Sequence, residues 1–127
     1  MGSFIRSRIS SFRNALRGFW YVIMTQKNAW IHAVVTILVI IMGLYLNIGI
    51  HDWEILVIAI TIVWMAEFIN SSLESVVDLA SPQQHPLAMR GKDIGAAAVL
   101  ISAISAVIIG ILILGPPLWT LLKTWFH

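Results

Sequence analysis

Residues 94–114 hold no charged side chain in 21 consecutive positions. A stretch this long and apolar confines the chain to a narrow set of folds. At about 1.5 Å per residue, roughly 20 helical residues cross the hydrocarbon core of a bilayer. Inside that core every backbone N–H and C=O must be bonded within the protein, so the segment has to be a helix. Two further stretches behave alike. Residues 29–46 are apolar except for His32 and Thr36, and residues 53–79 begin apolar. With 59% hydrophobic residues and 11% charged, the 127-residue chain reads as one all-α integral membrane domain, 1–127. It has no cysteine, which removes disulfide and thiol chemistry.

The polar segments organise the spans. Residues 47–52 are a short turn, and residues 80–93 are a longer polar connection with Pro82 and Pro86. Arg6, Arg8, Arg13, Arg17 and Lys27 precede the first span, and Arg90 and Lys92 lie in the second connection. Only Lys123 falls on the other side. The excess of Lys and Arg places the N-terminus and the 80–93 connection in the cytoplasm and the C-terminus outside. Trp53, Trp119 and Trp125 then fall at the outer interface. In residues 3–25, Ile5, Ile9, Phe12, Leu16, Phe19 and Ile23 recur every three or four positions, with Arg6, Ser10, Arg13 and Arg17 opposite. That pattern predicts an amphipathic surface helix rather than a signal peptide, because no small-residue cleavage pattern follows the short apolar run. In the third span Ala98, Ser102, Ala106 and Gly110 recur every fourth residue, a close-packing signal.

The second span then breaks the rule that membrane helices are apolar. Glu67, Asn70, Glu74 and Asp78 are spaced 3, 4 and 4, so they share one helical face. A charge near the bilayer centre costs about 2.5–3.5 kcal/mol on insertion scales. Crossing a membrane requires none of these groups, so the stripe marks a site. Glu67 lies within the hydrocarbon, and Glu74 lies about 10 Å further along the axis, at the cytoplasmic boundary. A base at the depth of Glu67 serves a substrate that arrives through the lipid. A carboxylate at the boundary suits Mg²⁺, which is held by one or two carboxylates plus substrate phosphates. Lys92, beside Asp93 at the start of the third span, is a phosphate partner in that setting. The set fits phosphoryl transfer from a water-soluble nucleotide to a lipid hydroxyl.

Each residue also has a plainer reading. Glu67 can be a protonated structural carboxyl bonded to Asn70. Asp78 can solvate the end of its helix. Lys92 can be a positive-inside anchor, and His32 an interfacial or packing histidine. A non-catalytic bundle that handles protons or ions accounts for Glu67 but not for Glu74 with Lys92 and Asp93.

Two segments carry a family resemblance: Ala66-Glu67-Phe68-Ile69-Asn70-Ser71-Ser72-Leu73-Glu74-Ser75-Val76-Val77-Asp78, and His85-Pro86-Leu87-Ala88 through Lys92-Asp93-Ile94-Gly95-Ala96-Ala97-Ala98-Val99-Leu100. In these the chain resembles the small prokaryotic membrane lipid kinases, the diacylglycerol and undecaprenol kinases. The resemblance implies a homotrimeric helical bundle in the bacterial inner membrane, with composite sites between subunits. It implies ATP as co-substrate, Mg²⁺ as cofactor and a membrane lipid alcohol as acceptor, with no nucleic-acid partner. It makes Glu67 the catalytic base and Glu74 the metal ligand, which also meets the nucleotide. Asn70 and Asp78 become supporting polar residues. Lys92, Asp93, His85 and an N-terminal arginine, Arg8, become nucleotide contacts. One position departs from the pattern. The family usually has a metal-binding glutamate before the first span, and Gln26 stands there. Residues 1–51 contain no acid to replace it. That departure is what a pseudokinase reading would rest on.

Overall fold

The computed structural model describes residues 2–83 and 85–125; residue 84, in the 80–93 connection, lies outside the described set. The described chain is all helix apart from short connections, in the order α1 (Gly2–Thr25), α2 (Lys27–Tyr45), α3 (Ile50–Ala80) and α4 (Pro86–Trp125). Helices α2, α3 and α4 are each long and apolar enough to cross a membrane.

The helix ends have local causes. Between α1 and α2 only Gln26 leaves the helical conformation, at φ −97° and ψ 117°. Its amide still donates to the Val22 carbonyl at 2.9 Å, so the break is a single-residue joint. Helix α2 stops where Asn47 takes a left-handed φ of 49°. Asparagine tolerates that region better than most side chains. The Ile48 amide then reaches back to the Gly43 carbonyl and the Asn47 amide to the Leu44 carbonyl, both at 3.2 Å, closing a Schellman cap. Helix α4 opens on Pro86, which suits a first helical position because its missing N–H has no intrahelical acceptor to lose. The helix that carries the uncharged 94–114 stretch thus begins earlier, and Lys92 and Asp93 sit inside it rather than at its start. It also runs through Pro116 and Pro117, which costs the carbonyls of Leu112 and Ile113 their usual donors.

Helix α3 is the centre of the molecule. It packs most extensively against α4 and less against α2 and α1. Its buried positions Leu56, Ala59, Val63, Glu67 and Asn70 lie on one face at helical spacing. That face is apolar up to Val63 and polar from Glu67 onward. The polar stripe is therefore the continuation of the core face. At the far end of the pair, Gly43 on α2 lets Trp53 of α3 close in, since a Cβ at Gly43 would lie 2.8 Å from the indole. Phe19 ties α1 to α3 by stacking on Trp64 and Phe68, with centroids 6.4 and 5.6 Å away. Between α2, α3 and α4 lies a cavity of about 480 Å³, apolar in lining apart from His32 and Thr36. Gly110 borders it, and a Cβ there would meet nothing within 4 Å.

Candidate active site

The core face of α3 determines which acidic groups are dry and which are wet. Glu67 is 1% exposed, Asn70 and Ser71 are buried, Glu74 is half-buried and Asp78 is exposed. The stripe therefore runs from the interior to the surface within a few helical turns. Ser71 and Ser75 return their hydroxyls to the carbonyls of Glu67 and Ser71, so they compete for neither the carboxylates nor the amide.

Asn70 does not bond to Glu67. Its Nδ2 donates to Glu74 Oε1 at 3.0 Å, so the amide holds the outer carboxylate. Glu67 Oε2 is buried and has no hydrogen-bond partner among the described residues. A structural carboxyl would be expected to have one, because burying an unpaired polar atom is costly. His32 Nε2 on α2 lies 3.7 Å from it, and that nitrogen likewise has no hydrogen-bond partner among the described residues. His32 is the residue that the pattern of the chain passes over. The available signal was that His32 and Thr36, four residues apart, are the two polar positions of an otherwise apolar span. Both face α3: Trp64 Nε1 donates to Thr36 Oγ1 at 3.2 Å, and the His32 ring meets Trp64 edge-on.

The surface end of the stripe joins α3 to α4. Lys92 Nζ donates to Asp78 Oδ1 across the connection. Asp93, next along, is exposed. His85 is exposed, and its Nδ1 accepts the Leu87 amide at 3.2 Å, which caps the start of α4. Arg8 is exposed on α1 with its guanidinium 4.9 Å from the Phe4 ring centre, and makes no hydrogen bond to the stripe among the described residues. Gln26 is half-buried at the α1–α2 joint, with no side-chain capping bond. One chain thus brings together Glu67, Asn70 and Glu74, and separately Asp78 and Lys92.

Gly95 is a second residue that the pattern does not single out. A Cβ there would collide with Asn70 Oδ1 and lie 3.0 Å from Leu73 Cδ2. Asn70 is short and already committed to Glu74, so it has little room to yield. Gly95→Ala is expected to turn Asn70 away from Glu74 and lower turnover about tenfold, the scale of a lost hydrogen bond to a charged group. Steady-state kinetics on detergent-purified protein, with gel filtration as a control for folding, test this. Parental turnover would mean that the Asn70–Glu74 bond is dispensable.

As to divalent metal, no group of three or more His, Cys, Asp or Glu that could hold an ion occurs among the described residues. Glu74, half-buried and held by Asn70, is a single anionic donor at the edge of the core. One carboxylate completed by nucleotide phosphates and water is an ordinary Mg²⁺ environment, so the donor set fits that ion.

The family model described as prokaryotic diacylglycerol kinase matches residues 13–114. That interval contains Gln26, His32, the α3 stripe and Lys92, and leaves out Arg8. The undecaprenol kinase of Bacillus subtilis is 37% identical over 108 residues, covering 85% of this chain and 88% of that protein. The diacylglycerol kinase of Synechocystis is 41% identical over 113 residues, covering 88% of this chain. The chain spans 65% of the length of that relative. The diacylglycerol kinase of Escherichia coli is 30% identical over 106 residues, covering 78% of this chain and 87% of that protein.

Proposed function

Because the chain belongs to the prokaryotic diacylglycerol kinase family, we propose that this membrane lipid kinase transfers the terminal phosphoryl group of ATP to the hydroxyl of a membrane lipid alcohol. The observation that carries the reading is the buried Glu67 carboxylate, whose Oε2 has no hydrogen-bond partner among the described residues, on the same face as the half-buried Glu74. Glu67 accepts the proton of the acceptor hydroxyl as its oxygen attacks phosphorus. Its burial supports this role, since water would compete little with a lipid-borne hydroxyl there. Asn70 holds Glu74 ready for Mg²⁺, which when bound neutralises phosphate charge. Lys92 contacts the phosphates, with Asp93 and His85 as further nucleotide contacts. In phosphoryl transfer most of the catalysis is positioning and charge neutralisation, and these residues supply both. A non-catalytic reading finds no support, because the matched relatives are kinases.

The acceptor class is diacylglycerol, giving phosphatidic acid, or undecaprenol, giving undecaprenyl phosphate. Purified protein with ATP, Mg²⁺ and a panel of lipid alcohols in mixed micelles decides between them. No phospholipid product from any member of the panel would overturn the proposal. The chain works as a homotrimer in the inner membrane, its N-terminus and the α3–α4 connection cytoplasmic and its C-terminus outside. Supporting this, large apolar side chains are exposed along α2, α3 and α4 and need lipid or a partner helix to cover them. Helix α1 lies on the membrane surface, with Ile5, Ile9, Phe12 and Leu16 exposed for burial among acyl chains.

Gln26 bears on the metal. With a neutral amide there, Glu74 supplies the protein's charge to the ion. Gln26→Glu is expected to lower the Mg²⁺ concentration for half-maximal activity by about three- to tenfold, as an added carboxylate tightens a divalent site. It should change nothing in a Glu74→Ala background, because the two side chains act on one ion. An unchanged Mg²⁺ requirement would show that Gln26 does not face the metal.

A further inference from the structure

From the His32–Glu67 contact we infer that His32 is a positioning residue for the reaction: its Nε2–H holds one oxygen of the Glu67 carboxylate and turns the other toward the acceptor hydroxyl. The inference rests on the reading of Glu67 as the base.

Three observations carry it. Two polar atoms with hydrogen-bonding capacity, His32 Nε2 and Glu67 Oε2, are both buried and both without a hydrogen-bond partner among the described residues, and they lie 3.7 Å apart. Two independent orphans at such a distance are a pair awaiting closure. A shift of under about 1 Å brings them into the 2.7–3.2 Å range of an N–H···O bond. Catalytic hydrogen bonds are commonly long before substrate binds and shorten in the complex. Second, the imidazole is held in place. Its ring packs edge-on against Trp64, centroids 6.3 Å apart, and the Trp64 indole is itself anchored to Thr36 one turn along α2. The α2–α3 register that sets this arrangement is fixed elsewhere, by Trp53 against Gly43. Third, His32 borders the apolar cavity between the three spans while Glu67 lies on the core face of α3. The histidine therefore stands between that apolar cavity and the carboxylate.

An unrestrained carboxylate this deep has few donors to orient it. A general base must present its lone pair within about 2.6–3.2 Å of the proton it takes. One donor on one oxygen removes the rotation about the last side-chain bond and leaves a single oxygen for the substrate. A neutral imidazole with its proton on Nε2 is sufficient.

The test exploits reach. Glutamine places an amide N–H close to where Nε2 lies. Asparagine carries the same group but stops short of it. Leucine fills space and donates nothing. His32→Gln should keep kcat within about threefold of the parent. His32→Asn and His32→Leu should lose about 10- to 100-fold in kcat, the loss expected when a hydrogen bond to a charged group is removed. The apparent KM for ATP and for the lipid should stay nearly constant across the series. In a Glu67→Gln background, His32→Leu should add no further loss, because the two residues act as a unit.

Equal activity of the Gln and Asn variants would overturn the proposal, since a packing role does not read donor position. So would parental activity of His32→Leu. So would a full multiplicative loss in the double variant, which would show that His32 acts through something other than Glu67. If His32→Leu does not fold, the Gln and Asn pair still decides. Full activity of Glu67→Gln itself would defeat the base assignment separately, whatever the His32 series shows.

Discussion

Glu67→Gln is expected to leave the helices packed as they are and to cut phosphoryl transfer by about 10²–10⁴-fold, the usual loss on removing a general base. The amide matches the carboxylate in size and fits the same buried position beside His32. It cannot take a proton from the acceptor hydroxyl at neutral pH. Stability supplies an independent control. Glu67 is almost fully buried, and its Oε2 has no hydrogen-bond partner among the described residues. Replacing a buried carboxylate by a neutral amide lightens its desolvation, so thermal stability should hold or rise. The loss should appear in kcat, with the apparent affinity for ATP little changed, because Glu67 lies a full two turns from Glu74. Turnover within a few-fold of the parent would assign Glu67 a structural role and remove the base from the mechanism.

The spans and the stripe were legible because each rests on a strong, local rule. Length and apolarity alone make 94–114 a helix, since lipid offers its backbone no other partner. The acidic stripe was legible because a 3–4–4 spacing admits one helical face, and because charge inside an apolar run calls for a reason. The face it shares with Leu56, Ala59 and Val63 follows from the same periodicity, extended backward along α3.

What escaped was whatever depends on the relation between helices. Along the sequence His32 is one tolerated polar residue in an apolar span. Its significance requires the α2–α3 register, which the Gly43–Trp53 approach sets and which no spacing within α2 encodes. Gly95 was equally mute, because its lack of a side chain matters only with Asn70 opposite. The start of α4 shows the reverse case. Pro86 preceded by a capping-capable His85 was a readable start signal. The polar composition of 80–93 outweighs that signal in the sequence, which therefore reads as connection up to Asp93. Bonding between Asn70 and Glu74, in place of Asn70 and Glu67, is a choice between two neighbours on one face. Rotamers make that choice, and sequence does not display it.

Lys92→Met is expected to lower kcat/KM for ATP by about 10- to 100-fold, the scale of a lost hydrogen bond to a charged group, and to leave the KM for the lipid nearly unchanged. The lysine bonds to Asp78 in the structure, which offers a purely structural explanation for such a loss. Its side chain is 37% exposed and that of Asp78 is 65% exposed. Ion pairs so open to water contribute about 0–1 kcal/mol, which is too little to account for a loss of that size. The pair instead parks the ammonium at the surface end of the stripe, beyond Glu74, where phosphates would meet it. Asp78→Asn separates the two explanations. If the pair is what matters, Asp78→Asn should impair the enzyme as much as Lys92→Met does. If Lys92 serves the nucleotide, Asp78→Asn frees the ammonium and removes a like charge from beside the phosphates, so the KM for ATP should hold or fall. Lys92→Arg should retain only part of the activity, because a planar guanidinium replaces a compact ammonium at the same reach. Equal losses toward ATP and lipid in Lys92→Met would instead point to damage at the α3–α4 junction and would remove Lys92 from the nucleotide site.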